Sequence, residues 1–136
     1  MSEKNHTCAL LADRHLGLAE AIRGLLELKF DAVIMVGDEA SLQECAARLR
    51  LAVAVVDLSL TGKNGLEMVR QLHIRCPELK LILLSVHDEA NACRAILKAG
   101  ANAVVLKRTL TADLLLAIEA VQAGREFCSP DFRMSC

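Results

Sequence analysis

Aromatic residues are the scarcest feature of this chain. Its 136 residues include no tryptophan, no tyrosine and three phenylalanines, so aromatics make up 2% of the sequence. Stacking platforms for single-stranded nucleic acid need aromatic side chains, and we therefore exclude that class of binding surface. Hydrophobic residues nevertheless make up 54% of the chain. We expect one folded domain whose core consists of leucine, valine, isoleucine and alanine.

The sequence also lacks a charge excess and a regular spacing of cysteines. Its net charge is -1, with no basic run, which argues against this segment gripping a phosphate backbone by itself. The six cysteines include no Cys-x-x-Cys pair, so neither a zinc clip nor a redox motif is indicated. The N-terminus lacks the apolar core of a signal peptide, and no apolar stretch is long enough to span a bilayer. We therefore expect a cytoplasmic protein with reduced thiols and no membrane contact.

One stretch stands out against these absences. Val53 to Val56 is an unbroken apolar run, and it is followed by Asp57 and by a loop with Gly62 and Gly65. So short a run is typical of a parallel strand buried on both faces. Open α/β folds bind their ligands at the carboxyl edge of such strands, which makes Asp57 a candidate site residue. An aspartate at this position would also be explained if it only capped a turn.

Strand-like and helix-like segments alternate about five times along the chain. The predicted strands are 7–12, 31–36, 52–56, 79–84 and 102–106, and the predicted helices are 15–28, 39–49, 64–75, 88–99 and 111–123. This alternation indicates a doubly wound parallel sheet with helices on both faces. The ends of its strands would bring Asp13, Asp57, Ser85 and Lys107 to one edge as a shared site. Two alternatives stay open, since Ser85 could merely cap a turn and Lys107 could be an ordinary solvated lysine.

Those four residues, in that order, resemble the receiver domain of bacterial two-component response regulators. Residues 57–67 are similar to its phosphoacceptor loop, and residues 98–107 to its fifth-strand segment. His15, together with residues 123–130, is similar to the NarL/LuxR-type branch. The resemblance implies a flavodoxin-like (βα)5 fold with a five-stranded sheet in the order 2-1-3-4-5. It also implies a receiver domain at residues 1–125 and the start of a linker or a C-terminal tail at 126–136.

The resemblance implies a role for each residue of the shared site. Asp57 would accept a phosphoryl group from a sensor histidine kinase, and Lys107 would pair with that carboxylate or with the phosphoryl group. The Ser85 hydroxyl would hydrogen-bond a phosphoryl oxygen. Asp13, Asp57 and the backbone carbonyl of Ser59 would hold Mg²⁺. On this interpretation the chain is a signalling domain and not an enzyme.

The resemblance also implies partners. Any DNA contact would be made by a C-terminal output domain that is not part of these 136 residues. A homodimer is expected through the face formed by the fourth helix, the fifth strand and the fifth helix, because apolar residues exceed one buried stripe there. A fully buried last helix would explain the same excess. The residues concerned are Ala92, Ala95, Ile96, Leu110, Leu114, Leu115 and Leu116.

The chain departs from the family pattern at three positions. Arg14 replaces the second residue of an acidic pair, Val86 replaces the small residue after the switch hydroxyl, and Val104 replaces the switch aromatic. If Arg14 reached Asp13 or Asp57, it would occupy the position of the cation and make Mg²⁺ binding weak. If it extended into solvent, the two aspartates would still hold the metal. These departures favour the alternative function, a phosphorylation-independent module for protein interaction or dimerisation.

Enzymes with the same topology are a third hypothesis. A dehalogenase-type phosphatase with Asp13 as nucleophile requires a second aspartate two residues later, where His15 stands. A flavin carrier requires a phosphate-binding loop after the first strand and aromatics that stack on the ring, and the sequence has neither. His6, His73 and His87 have no partner at ligand spacing, so we expect them to be surface or loop residues and not metal ligands.

Overall fold

The computed structural model describes residues 8–132, which fold into a parallel sheet with helices on both faces. Every predicted strand and helix is present, with bounds that agree with the prediction to within two residues. The strands are β1 Cys8–Ala12, β2 Ala32–Val36, β3 Val53–Asp57, β4 Lys80–Ser85, β5 Ala103–Leu106 and β6 Phe127–Cys128. The helices are α1 Leu16–Glu27, α2 Glu39–Arg48, α3 Gly65–Arg75, α4 Ala90–Ala99 and α5 Leu110–Gln122.

The sheet has the order β2-β1-β3-β4-β5-β6, and all neighbouring strands are parallel. The predicted order 2-1-3-4-5 is therefore confirmed, but the predicted number of five strands is one too few. The additional strand, Phe127–Cys128, pairs with Ala103 and Val104 of β5. A strand of two residues is too short to show a periodic apolar pattern, which is why the sequence did not indicate it.

Two hydrophobic cores lie on opposite faces of the sheet. All five residues of β3 are buried, because successive side chains of a central strand point alternately into the two cores. On one face, Leu11 and Val55 pack with Ile22 of α1 and Ile118 of α5. The other core is formed with α2, α3 and α4, and its larger members include Leu10, Val56, Leu42, Met68, Leu72 and Ile96. Both cores are thus built mainly from aliphatic side chains, as expected for a chain without tryptophan and tyrosine.

The segment after α5 folds back along β5. Ser129 N donates a hydrogen bond to Val104 O at 3.0 Å, and Ser129 Oγ accepts one from Leu106 N at 2.9 Å. Cys128 forms a disulfide with Cys93 of α4. The prediction of reduced thiols is therefore wrong for this pair, and Cys93 is buried in the core. The return of the chain brings together two cysteines that are 35 residues apart in sequence.

Much of the apolar excess on α4 and α5 belongs to the core. Ile96, Leu110 and Leu114 are buried, whereas Leu116 is 51% exposed. The alternative of a fully buried last helix is therefore wrong, because Leu116 is exposed, but the burial of Ile96, Leu110 and Leu114 accounts for part of the apolar excess. No helix within residues 8–132 is both long enough and apolar enough to cross a membrane.

Candidate functional site

Four strands deliver the predicted residues to one edge of the sheet. Asp13 follows β1, Asp57 ends β3, Ser85 ends β4 and Lys107 follows β5. Asp57, Ser85 and Lys107 line a pocket of about 240 Å³, and His15 completes its rim. This edge is where a doubly wound sheet binds ligands, because the strand ends leave a crevice there.

Asp57 is buried and has partners on both of its oxygens. Lys107 Nζ donates to Oδ2 at 2.8 Å, and the backbone N–H and the hydroxyl of Ser59 each donate to Oδ1 at 3.0 Å. Burial raises the pKa of the Asp57 carboxyl, but the bonds from Lys107 and Ser59 together outweigh burial and leave this pKa below its usual value. The carboxylate is therefore ionised at neutral pH, and Lys107 is its counter-ion and not an ordinary solvated lysine.

The loop after Asp57 has a shape that requires glycine at two positions. Residues Leu58–Asn64 form a kinked 3-10 segment in which Gly62 has a φ of 67°. A side chain on Gly65 would place its Cβ 2.8 Å from both the Cδ1 and the carbonyl oxygen of Leu58. This tight turn presents the Ser59 N–H to Asp57, so the glycines that follow the aspartate in the sequence serve to build the pocket.

Ser85 lies in the wall of the pocket, where its hydroxyl hydrogen-bonds the backbone of His87 and not the Asp57 carboxylate. Ser85 Oγ accepts from His87 N at 3.0 Å and lies 3.1 Å from His87 O, to which it donates. Ser85 thus caps the turn that follows β4 in this conformation, and its role at a phosphoryl group stays a prediction. Val86, 64% exposed, lies on the rim of the same pocket, and Val104 is fully buried within β5.

The Asp13 side of the pocket is arranged around an imidazole. Asp13 Oδ1 accepts from His15 N at 2.9 Å and lies 3.2 Å from His15 Nδ1. The same nitrogen is 3.6 Å from Asp57 Oδ2. Asp13 Oδ2 is buried without a hydrogen-bond partner within residues 8–132. A carboxylate oxygen in that state and an ionised Asp57 form a donor set that fits a divalent cation.

Arg14 takes no part in this arrangement. Its side chain is exposed, and it forms no hydrogen bond or ion pair in the part of the chain that the structure describes. The chain bends at Arg14, and His15 returns to the side of Asp13, whose Oδ1 it contacts through its backbone N–H and its Nδ1, while the Arg14 side chain is exposed. Sequence reasoning missed His15 as a member of the site, and the Asp-x-His spacing at the end of a strand was the signal for it.

The other histidines agree with the prediction. His73 and His87 are exposed, and His6 lies outside the described residues. Within residues 8–132, one group of side chains has the spacing of metal ligands, and it consists of Asp13, His15 and Asp57. The candidate site is therefore confined to the carboxyl edge of the sheet.

A parallel sheet of this order, with an aspartate at the end of its third strand and a lysine bonded to it from the fifth, defines the receiver class of α/β domain. Residues 9–119 match the family described as response regulator receiver domain. The chain belongs to this family and is a receiver domain of the two-component response regulators.

Known proteins place the chain near the NarL and LuxR-type members. It is 31% identical over 126 residues to the nitrate/nitrite response regulator protein NarP of Escherichia coli (strain K12), covering 91% of this chain and 57% of NarP. Its fold is similar to a LuxR-family response regulator from Aurantimonas sp. SI85-9A1, with a TM-score of 0.83, 26% identity and coverage of 93% and 91%.

A solved structure of two RcsB dimers bound to two parallel DNAs gives a TM-score of 0.81 at 25% identity. That likeness covers 94% of this chain and 66% of the RcsB chain. The chain spans little more than half the length of the curated relatives that it matches, 55% and 57% for two of them.

Proposed function

We propose that this chain is a phosphoryl-accepting input domain, with Asp57 as the acceptor and a sensor histidine kinase as the donor. The observation that carries the proposal is the buried, ionised carboxylate of Asp57, which Lys107 Nζ contacts at 2.8 Å beside an open pocket. A carboxylate is a nucleophile in its ionised form, and the contact with Lys107 favours that form.

The transfer requires one oxygen of Asp57 to attack phosphorus while the bond between phosphorus and the donor nitrogen breaks. The electron pair of that bond stays on the nitrogen, and the product is an acyl phosphate. Lys107 Nζ would then neutralise a phosphoryl oxygen. Ser85 would donate its hydroxyl to another, which requires it to release the His87 carbonyl that it now contacts. The chemistry at Asp57 would thereby alter the loop between β4 and α4.

Asp13, Asp57 and the backbone carbonyl of Ser59 would hold Mg²⁺, which when bound neutralises charge on the phosphoryl oxygens. The unpartnered, buried Oδ2 of Asp13 supports a cation at this side of the pocket. Arg14 stands where the family has a second metal-ligating carboxylate, so we expect weak Mg²⁺ binding. A phosphorylation-independent function has no observation in its favour, because Arg14 contacts neither Asp13 nor Asp57.

We extend this proposal to the partners of the chain. The RcsB structure contains dimers on DNA, which supports dimer formation here. The proposed contact is the face of α4, β5 and α5, because the apolar Leu116 is exposed there. DNA binding would belong to an output domain beyond these 136 residues. The proposal includes a cytoplasmic location, control of transcription and signalling without catalytic turnover.

The acceptor assignment is tested by mass spectrometry of the intact protein after incubation with a small phosphodonor and Mg²⁺. The wild type should gain one phosphoryl group, and Asp57→Asn should gain none. Asp31→Asn is the matched control, because Asp31 is exposed beside the start of β2, at the opposite edge of the sheet. Equal labelling of the wild type and Asp57→Asn, or no labelling of the wild type, would contradict the proposal.

A further inference from the structure

The pocket contains an imidazole that the proposed phosphoryl transfer does not use. His15 Nδ1 lies 3.2 Å from Asp13 Oδ1 and 3.6 Å from Asp57 Oδ2. One ligand atom from each of these three residues lies within 4.8 Å of the other two. Three donor atoms this close can contact a single ion, so His15 stands where it can act as a ligand.

Asp13 provides a second, independent observation. Its side chain has no exposed area, and its Oδ2 has no hydrogen-bond partner within residues 8–132. A buried carboxylate oxygen without a donor is costly, and a cation beside it lowers that cost. Arg14 does not supply that cation, because its side chain is in solvent. The unpartnered Oδ2 of Asp13 therefore favours the binding of a cation from solution.

The position of His15 is fixed on one side and accessible on the other. Its backbone N–H donates to Asp13 Oδ1 at 2.9 Å, which holds the residue against the carboxylate. Its side chain is 60% exposed, so an ion can reach the imidazole directly from solvent. The backbone of His15 is thus held beside Asp13 before an ion arrives.

The donor atoms decide which ion this pocket prefers. Mg²⁺ takes oxygen ligands in a near-ideal octahedron and gives up its waters reluctantly. An imidazole nitrogen suits the later first-row transition ions, whose affinity for mixed nitrogen and oxygen sites is higher. In this chain an arginine stands in place of one carboxylate, and a histidine nitrogen faces the remaining two.

We infer that Asp13, Asp57 and His15 form a mixed carboxylate and imidazole site that binds a divalent first-row transition ion more tightly than Mg²⁺. This inference rests on the proposed function, because it assigns the ion of the same pocket. It does not require a phosphodonor to be present. His15 is thereby the residue that determines the metal preference.

The test is calorimetric titration of Co²⁺ and of Mg²⁺ into the wild type, His15→Gln and His73→Gln. The wild type should bind Co²⁺ more tightly than Mg²⁺, and this preference should fall about tenfold or more in His15→Gln, since even outer-sphere partners of a metal are worth that much. His73→Gln is the matched control, because His73 is an exposed histidine in the last turn of α3. It should keep the wild-type preference.

Pulsed EPR of bound Mn²⁺ gives a direct view of the ligand. The wild type should show coupling to the ¹⁴N nucleus of an imidazole, and His15→Gln should not. Wild-type protein that binds Mn²⁺ without nitrogen coupling would overturn the inference, as would an unchanged Co²⁺ preference in His15→Gln. If His15→Gln does not fold, His15→Asn replaces it in both experiments. An unchanged Co²⁺ preference in His15→Asn would equally overturn the inference.

The two proposals fail in different ways. Labelling of Asp57 by a phosphodonor in a protein without nitrogen ligation would count against the role of His15 alone. A Co²⁺ preference that depends on His15, in a protein whose Asp57 is never labelled, would count against the phosphoacceptor function alone. Labelling and titration on the same preparation therefore separate them.

Discussion

The two carboxylates of the site, Asp57 and Asp13, differ in how many of their oxygens accept hydrogen bonds. Both oxygens of Asp57 accept hydrogen bonds from the chain, from Ser59 on one side and from Lys107 on the other. Asp13 accepts from His15 with one oxygen, and its second oxygen has no partner within residues 8–132. The charge of Asp57 is balanced by the protein, and the charge of Asp13 is not.

The fold itself supplies the positive charge that neutralises Asp57, whereas a cation that neutralises Asp13 would have to come from solution. The lysine that neutralises Asp57 comes from the end of β5, 50 residues further along the chain, so the sheet itself assembles the acceptor pair. The arginine next to Asp13 in sequence faces solvent and neutralises nothing in the pocket. The acceptor half should therefore be sensitive to substitution of its partners, and the Asp13 half should be sensitive to added cations.

The largest effect is expected for Lys107→Met, which removes the counter-ion of Asp57 and keeps an apolar stem of similar length. A buried carboxylate left without its partner is strongly destabilising, and the two bonds from Ser59 remain, so the free energy of unfolding should fall by about 2 to 3 kcal/mol at neutral pH. Urea denaturation measures this change. Lys98→Met, at an exposed lysine in the last turn of α4, is the control and should have little effect. Equal effects of the two substitutions would show that the pair does not stabilise the fold.

Acid should weaken the same pair. The pKa of Asp57 is lowered in the folded protein, so its stabilisation is complete above the ordinary aspartate pKa of about 3.9 and is lost as the pH falls through the folded value. Each unit of lowering corresponds to about 1.4 kcal/mol. Unfolding free energies measured from about pH 6 to about pH 2 should fall more steeply for the wild type than for Lys107→Met. Parallel curves for the two proteins would contradict this assignment.

Asp13→Asn should have a smaller effect on the free energy of unfolding, and it should raise this free energy. Asp13→Asn removes a negative charge that has an oxygen within 4.8 Å of a ligand atom of Asp57. Without divalent ions, the variant should be more stable than the wild type by about 1 kcal/mol. Thermal unfolding in EDTA, and again with added Co²⁺, checks this. The ion should raise the stability of the wild type and leave Asp13→Asn nearly unchanged. Stabilisation of both proteins by the ion would place the cation elsewhere.

The smallest effect on the free energy of unfolding is expected for substitution of Arg14. Arg14 is exposed and has no partner in the described part of the chain, so Arg14→Ala should change the free energy of unfolding by less than about 0.5 kcal/mol. Chemical denaturation without divalent ions is the measurement. A loss that approached that of Lys107→Met would indicate that Arg14 does pair with a carboxylate of the pocket.

Most of the fold could be predicted because its signals are local. Apolar runs end at polar residues, and each helix has its own periodicity, so strand and helix bounds followed from short windows of sequence. β6 could not be predicted, since its two residues form a strand only because the chain returns along β5. The disulfide between Cys93 and Cys128 depends on the same return.

The site could be predicted at the level of residues but not of contacts. Parallel strands dictate that Asp57 and Lys107 meet, and the structure joins them at 2.8 Å. The direction of a side chain is harder to predict from sequence than the strand end on which the residue lies. Whether Ser85 bonds to His87 or to the carboxylate is decided by one rotamer, and whether Arg14 or His15 faces the pocket is decided by the direction of the backbone as it leaves β1. Sequence patterns do not encode either choice directly.

The short strand β6 has a consequence for the solubility of the domain. It covers the outer edge of β5, whose residues are all buried and apolar. A protein shortened to end at residue 125 would leave Val104 O and Leu106 N, which now bond to Ser129, exposed on an open sheet edge. Such edges pair with strands of other molecules, and charged residues that would discourage this pairing are absent from β5. By covering the edge of β5, the residues that follow α5 are expected to reduce aggregation of this domain.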